Sequence, residues 1–125
     1  MIIAIGIDIV EVRRIARALK TYKGRFREKY FTFREREYCQ SKTRPSQHYA
    51  ARFAAKEAAF KTLGKPWPQG CGYIDVEVVT SNDGIPELRF SQALQDAFSE
   101  IGMKKAHLSI THTKTAAAAM VLIEG

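Results

Sequence analysis

The sequence predicts a single α+β domain in which helices pack on a mostly antiparallel sheet. Three observations carry that prediction. An isoleucine-rich run, Ile2-Ile3-Ala4-Ile5-Gly6-Ile7-Asp8-Ile9-Val10, opens the chain. Apolar positions then recur at helical spacing in segments reaching Leu63. Beyond them, alternating runs and turn signals enclose one further amphipathic segment. The 125 residues fit one domain, spanning 1–125, that can bury a core without staples.

Residues 2 to 8 read as a strand, and Gly6 within it marks a bend or a close backbone approach. A helix follows from about Ile9 to Lys20, with Val12, Ile15, Ala16 and Leu19 as its apolar stripe. Arg13, Arg14, Arg17 and Lys20 fall largely outside that stripe and face water. Thr32-Phe33-Arg34-Glu35 is a capping box that starts a second helix ending near Gln40. Ser41 to Ser46 reads as a loop. A third helix runs from about Gln47 to Leu63, buried through Phe53, Phe60, Leu63 and its alanines. Gly64 suits the C′ position, and Pro66 and Pro68 prevent continuation.

Tyr73 to Thr80 alternates as a strand, Ser81-Asn82-Asp83-Gly84 is a turn signal, and Pro86 to Phe90 is the returning strand. Ser91 to Ile101 is an amphipathic helix closed by Gly102. Ala106 to Thr111 alternates again, with Leu108 and Ile110 on one face and His107, Ser109 and Thr111 on the other. Ala116 to Ile123 is ambiguous. Its alanines favour a helix, whereas Met120-Val121-Leu122-Ile123 and its place after a turn favour a strand.

At 46% hydrophobic and 26% charged residues, the composition is that of an ordinary globular protein. No run approaches the roughly 18 apolar residues that a membrane span needs. The N-terminus has no positive leader before its apolar run, so no signal peptide is read there. A cytoplasmic location is expected. Cys39 and Cys71 form no C-x-x-C pairing, and zinc spacing is absent even with His48, His107 and His112 counted, so two reduced thiols are expected. Twenty basic and 13 acidic residues leave a net charge of +7, which calls for an acidic partner. Ten of the basic residues lie between Arg13 and Arg36, so one pole should be positive.

Two carboxylates stand out. Asp8 interrupts the apolar opening run, where a buried charge is costly unless something positive meets it. Glu57 lies in the basic stretch Arg52-Phe53-Ala54-Ala55-Lys56-Glu57-Ala58-Ala59-Phe60-Lys61-Thr62-Leu63-Gly64. Each has an ordinary explanation. Asp8 could be an N-cap. Glu57 and Lys61, four apart, could form a helical ion pair worth about 0.3–0.5 kcal/mol. Arg52 and Lys56, also four apart, repel each other, which favours an anionic ligand. Asp8 with Glu57 would equally suit Mg²⁺, which takes one or two carboxylates and completes its shell with water and phosphate oxygens.

Three segments together resemble a known family. Gly6-Ile7-Asp8-Ile9-Val10-Glu11-Val12-Arg13-Arg14-Ile15 is similar to the first signature of the small, holo-acyl-carrier-protein-synthase type of 4′-phosphopantetheinyl transferase. Arg52 to Ala58, followed by Lys61 and Gly64, is similar to the second. His107-Leu108-Ser109-Ile110-Thr111-His112-Thr113, followed by the alanine-rich end, is similar to the third. The resemblance spans nearly the whole chain in order, and the length matches the short type. Ala58 and Ala59 stand where many relatives carry other residues, a tolerated departure.

The resemblance implies that fold and a reaction. The 4′-phosphopantetheine arm of coenzyme A moves to a serine of apo-acyl carrier protein, releasing adenosine 3′,5′-bisphosphate, in fatty acid biosynthesis. It implies that Asp8 and Glu57 bind Mg²⁺, and that Glu57 and Lys61 are catalytic. Lys61 would stabilise charge on the phosphates, and Glu57 or a metal-bound water would take the serine proton. Arg52 and Arg44 would contact the nucleotide's phosphates, Gly64 would permit close approach, and His107, Ser109 and Thr111 would line the coenzyme A cleft. Taken alone, His107 fits a hydrogen-bonded structural histidine equally well. Acidic acyl carrier protein would dock on the first helix at Arg14, with Arg13, Arg17 and Lys20 beside it. A homotrimer with interfacial active sites is also implied.

Two rivals remain on sequence grounds. Tyr22, Phe26, Tyr30, Phe31 and Phe33 among the arginines suit a small nucleic-acid-binding protein. No module pattern emerges, however, and Asp8 and Glu57 go unexplained, so no nucleic acid is expected. The other rival is a non-catalytic trimeric scaffold of the same fold.

Overall fold

In the computed structural model, which describes Met1–Gly125, the opening run forms β1 (Ile2–Glu11). Four helices follow: α1 (Val12–Tyr22), α2 (Gly24–Tyr30), α3 (Phe33–Gln40) and α4 (Pro45–Thr62). A hairpin of β2 (Val76–Thr80) and β3 (Pro86–Phe90) leads to α5 (Gln92–Glu100), then β4 (Lys105–His112) and β5 (Ala116–Glu124). All pairings are antiparallel. The strands form two sheets, one ordered β1-β5-β4 and one made of β2 and β3. The expected α+β architecture is present.

The long helix α4 is its axis. Tyr49, Ala50, Ala51, Ala54, Ala55, Ala58 and Ala59 are all buried, because alanines on several faces let strands approach closely. The main sheet packs on it through Val10, Ala117, Ala119, Val121 and Ile123. Gly6 is where β1 comes nearest. A Cβ there would collide with the Ala58 carbonyl oxygen, so close approach is the reason for this glycine. The ambiguous segment Ala116–Ile123 is a strand because its alanines sit against those of α4.

Several boundaries differ from the sequence expectation. β1 extends to Glu11, so the first helix starts at Val12 rather than near Ile9. Asp8 therefore caps nothing: it pairs with Ala119 in mid-strand, and Glu11 occupies the N-cap without a side-chain bond. Helix α2 was not expected, since Phe26 is its one buried residue and it shows no apolar period. Helix α4 begins at Pro45, within the expected loop, because proline's missing N–H costs nothing at the first helical position. Tyr73–Asp75 is a 3-10 turn rather than the start of β2.

The expected capping box is present. Thr32 Oγ1 accepts from the Glu35 N–H at 3.3 Å, and Glu35 Oε1 accepts from the Thr32 N–H at 2.9 Å. Glu35 does more than cap, because it is fully buried and paired with the equally buried Lys56 at 2.7 Å. Lys56 Nζ also donates to the carbonyls of Tyr73 at 2.9 Å and Val76 at 2.6 Å, and Glu35 Oε2 accepts from the Val78 N–H at 2.9 Å. Every ammonium proton has a partner, the condition for burying such a pair. Burial pulls the Lys56 pKa down, opposed by the Glu35 charge. Lys56 thus joins α3 and α4 to the hairpin, and its repulsion with Arg52 is not a sign of an anionic ligand.

Candidate active site

Gly6 brings β1 against the C-terminal half of α4, and this contact sets Asp8 beside Lys61. Asp8, two residues on, faces the helix on the same side of the strand. Lys61 Nζ donates to Asp8 Oδ1 at 3.1 Å and to the Ile7 carbonyl at 2.9 Å. The Glu57–Lys61 ion pair permitted by spacing does not form, because Lys61 turns to β1. Glu57, one turn earlier on α4 and half-buried, accepts instead from the Tyr73 hydroxyl at 2.6 Å. The Tyr73 pKa is raised, chiefly by burial, then by the Glu57 bond and charge, with smaller contributions from Tyr30 and Asp8. Tyr73 therefore lies within the field of both carboxylates.

The donor set fits a hard cation. Asp8 and Glu57 offer carboxylate oxygens, and no group of three or more His, Cys, Asp or Glu side chains forms a closed cage. Mg²⁺ held by two carboxylates, with water and phosphate oxygens completing its shell, matches that pattern. Gly64, just past α4, has φ 72° and no neighbour within 4 Å of a would-be Cβ, as its C′ position demands.

Arg52 lies on the same helix, five residues before Glu57, but belongs to a separate cavity of about 180 Å³. It is 2% exposed. Its guanidinium stacks 3.9 Å from the Tyr38 ring centroid, and Nη2 donates to Thr80 Oγ1 at 3.1 Å, while Nε is buried without a partner. His48 and His112 complete the polar lining, their rings 5.1 Å apart. Burial, His112, Arg52 and Lys42 all lower the His48 pKa. Arg44 is exposed at the α4 N-cap and does not line this cavity.

His107, Ser109 and Thr111 do share one exposed face of β4, as the alternation predicts. That face is opposite the one carrying Ile110 and His112 toward the cavity, so within one chain these three do not meet Arg52. His107 Nε2 lies 2.8 Å from Glu124 Oε1, a contact that lowers the Glu124 pKa. The same open face carries Ile5, Ile7 and Ile9, exposed by 61%, 64% and 73%, and Met120. Arg13, Arg14, Arg17 and Lys20 are all exposed on α1. Cys39 is buried, with its thiol pushed up to about 12, and Cys71 is half-buried; both are free. No helix is long and apolar enough to cross a membrane.

Sequence reasoning did not select Tyr73, Tyr38, His48 or Thr80, since each joins a site through long-range packing. His112 lay in the third motif but was passed over for its strand neighbours.

Comparison with known proteins identifies the family. Residues 4–120 match the model of the 4′-phosphopantetheinyl transferase superfamily. The holo-[acyl-carrier-protein] synthase of Geobacter metallireducens is 42% identical over 124 residues, covering 99% of this chain and 98% of its own. The crystal structure of the Neisseria meningitidis holo-[acyl-carrier-protein] synthase superposes with a TM-score of 0.90 at 30% identity, covering all of both chains. That of the Bacillus anthracis synthase, in complex with CoA (3′,5′-ADP), gives 0.81 at 35% identity, covering 100% of this chain and 98% of that one. The chain is an enzyme that belongs to the 4′-phosphopantetheinyl transferase superfamily, grouped there with the holo-[acyl-carrier-protein] synthases.

Proposed function

We propose that the protein transfers 4′-phosphopantetheine from coenzyme A to a serine of apo-acyl carrier protein, releasing adenosine 3′,5′-bisphosphate, in the cytoplasm and in the service of fatty acid synthesis. The observation that carries this is that Lys61 bonds Asp8 where β1 crosses α4, with Glu57 one turn earlier on that helix and bonded to Tyr73, which also feels the Asp8 charge. We read the whole chain, 1–125, as the transferase domain.

Asp8 and Glu57 would hold Mg²⁺, which when bound gathers pyrophosphate oxygens and offsets charge as the P–O bond breaks. Lys61 has two of its three ammonium protons committed to Asp8 and Ile7, which leaves one for a phosphate oxygen. Fixed in place before reaction, it stabilises charge that develops there. The serine proton passes to Glu57, directly or through a water. Gly64 leaves room for ligand at the end of α4. Arg52, with an unpartnered Nε in a cavity that also holds His48 and His112, suits a phosphate of the nucleotide. Arg44 would reach the same ligand from the rim.

Coenzyme A, with its several phosphates, and an acidic carrier both suit a chain of net charge +7. Arg14, flanked by Arg13, Arg17 and Lys20, is the proposed docking centre, and such contacts chiefly speed association. We further propose a homotrimer. The exposed stripe of Ile5, Ile7, Ile9 and Met120 is a row of neighbouring apolar side chains on one sheet face, the kind of surface that a partner copy would cover. His107, Ser109 and Thr111 lie on that face, so in a trimer they would serve a nucleotide bound across the interface.

The test follows nucleotide release. With coenzyme A, Mg²⁺ and an apo-carrier, adenosine 3′,5′-bisphosphate should appear in step with carrier loading, and Asp8→Ala and Glu57→Ala should each abolish it while keeping the fold. Unchanged release in either variant removes that residue from the site.

A further inference from the structure

Tyr73 reaches Glu57 from outside α4, and its position is set twice. Its ring packs in an aromatic group, 4.5 Å from Tyr30, 4.7 Å from Phe60 and 5.7 Å from Phe53 between centroids, nearly parallel to the last. Its carbonyl accepts from Lys56 Nζ, whose other two bonds go to Glu35 and the Val76 carbonyl. Lys56 immediately precedes Glu57. One helix therefore anchors the Tyr73 backbone through a buried ammonium and receives the Tyr73 hydroxyl on the next side chain, at 2.6 Å.

A glutamate has three side-chain torsions to fix before its carboxylate can serve a ligand. Neighbours on α4 do not fix them here: Lys61, the natural partner, is bound to Asp8 and Ile7 instead. The one hydrogen bond that restrains the Glu57 carboxylate comes from Tyr73. We propose that Tyr73 is a positioning residue for Glu57, holding Oε1 so that Oε2 is presented to the cation. This rests on the assignment of Asp8 and Glu57 as cation ligands. The hydroxyl performs no chemistry of its own, and it acts as the outer hydrogen-bonding partners of metal-binding carboxylates generally do.

Tyr73→Phe isolates the effect. It keeps the ring, its aromatic contacts and the carbonyl bonded to Lys56, and removes one oxygen. Mn²⁺, titrated by electron paramagnetic resonance into the full chain with coenzyme A present, reads the cation site apart from turnover. Asp8→Ala should lose Mn²⁺ binding relative to wild type. Tyr73→Phe should weaken it by roughly 10–100-fold, and the apparent activation constant for Mg²⁺ in the transfer assay should rise by a similar factor. Tyr30→Phe removes a neighbouring hydroxyl that does not bond Glu57, and it should bind Mn²⁺ like wild type. If Tyr73→Phe matches wild type in both readouts, or if Tyr30→Phe weakens binding equally, the hydroxyl serves packing alone and the proposal falls. If instead Asp8→Ala binds Mn²⁺ as wild type does, the carboxylate assignment itself fails, a result distinct from the first two.

Discussion

Gly6→Ala should damage the enzyme without altering any group with chemistry of its own. The added Cβ falls inside the contact distance of the Ala58 carbonyl oxygen and 3.0 Å from Thr62 Cγ2. The obstructing atom is helix backbone, which cannot rotate aside as a long side chain would. Relief therefore requires β1 and α4 to separate by about 1 Å, and overpacking of this kind typically costs about 1–3 kcal/mol. At the upper end the thermal midpoint would fall by roughly 10 °C for a domain of this size. Asp8 lies two residues from Gly6, and its bond to Lys61 is 3.1 Å long, so the same separation would pull the carboxylate off its partner. A misplacement of about 1 Å can cost on the order of 100-fold in rate. Differential scanning fluorimetry gives the first quantity, and kcat/KM for carrier loading, measured well below the melting transition, gives the second. A Gly6→Ala protein with wild-type midpoint and activity would refute the idea that strand–helix contact sets the site.

Three further outcomes follow from the same contacts. Lys56→Met should cost about 3–5 kcal/mol in urea unfolding, since it strands a fully buried Glu35 carboxylate; Lys56→Met combined with Glu35→Leu should recover much of it. The folded-state pKa of His48 lies below its ordinary 6.5, so the unfolded chain binds the proton more readily and this residue's stabilisation is lost as pH falls through that value. Unfolding free energy should accordingly begin to drop as pH falls below the ordinary histidine value of 6.5, and the drop should be smaller in His48→Gln. Ile7→Glu puts a charge in the middle of the open apolar face, and sedimentation should show a trimeric wild type and a smaller species for the variant.

Much of the architecture was legible because local signals agreed with their surroundings. The capping box at Thr32, Gly64 at the end of α4, the Ser81–Gly84 turn and the alternation in β4 each express a nearby chemical need. Most of the failures share one cause, which is that the deciding partner is far away in sequence. The alanines of β5 have no strand preference of their own, and they are a strand because α4 requires small residues there. Lys56 reads as one of a repelling pair with Arg52 that favours an anionic ligand, until Glu35, Tyr73 and Val76 are seen around it. Helix α2 buries only Phe26, so it leaves no period to read. At the site, Asp8, Glu57 and Lys61 could be selected from the sequence, whereas the partner exchange by which Lys61 takes Asp8 and Tyr73 takes Glu57 depends on the closeness of β1 and α4 at Gly6. The strand face carrying His107, Ser109 and Thr111 was also readable. That it points away from Arg52 was not, because the side of β4 facing α4 is fixed only by sheet packing.

The most direct measurement is the mass of the carrier. Apo-acyl carrier protein incubated with this protein, coenzyme A and Mg²⁺ should gain the mass of one phosphopantetheine group on its acceptor serine, and it should gain nothing when Mg²⁺ is chelated or when Glu57 is replaced by Ala. A carrier that a known transferase can load, yet whose mass stays unchanged with this one, would contradict the account.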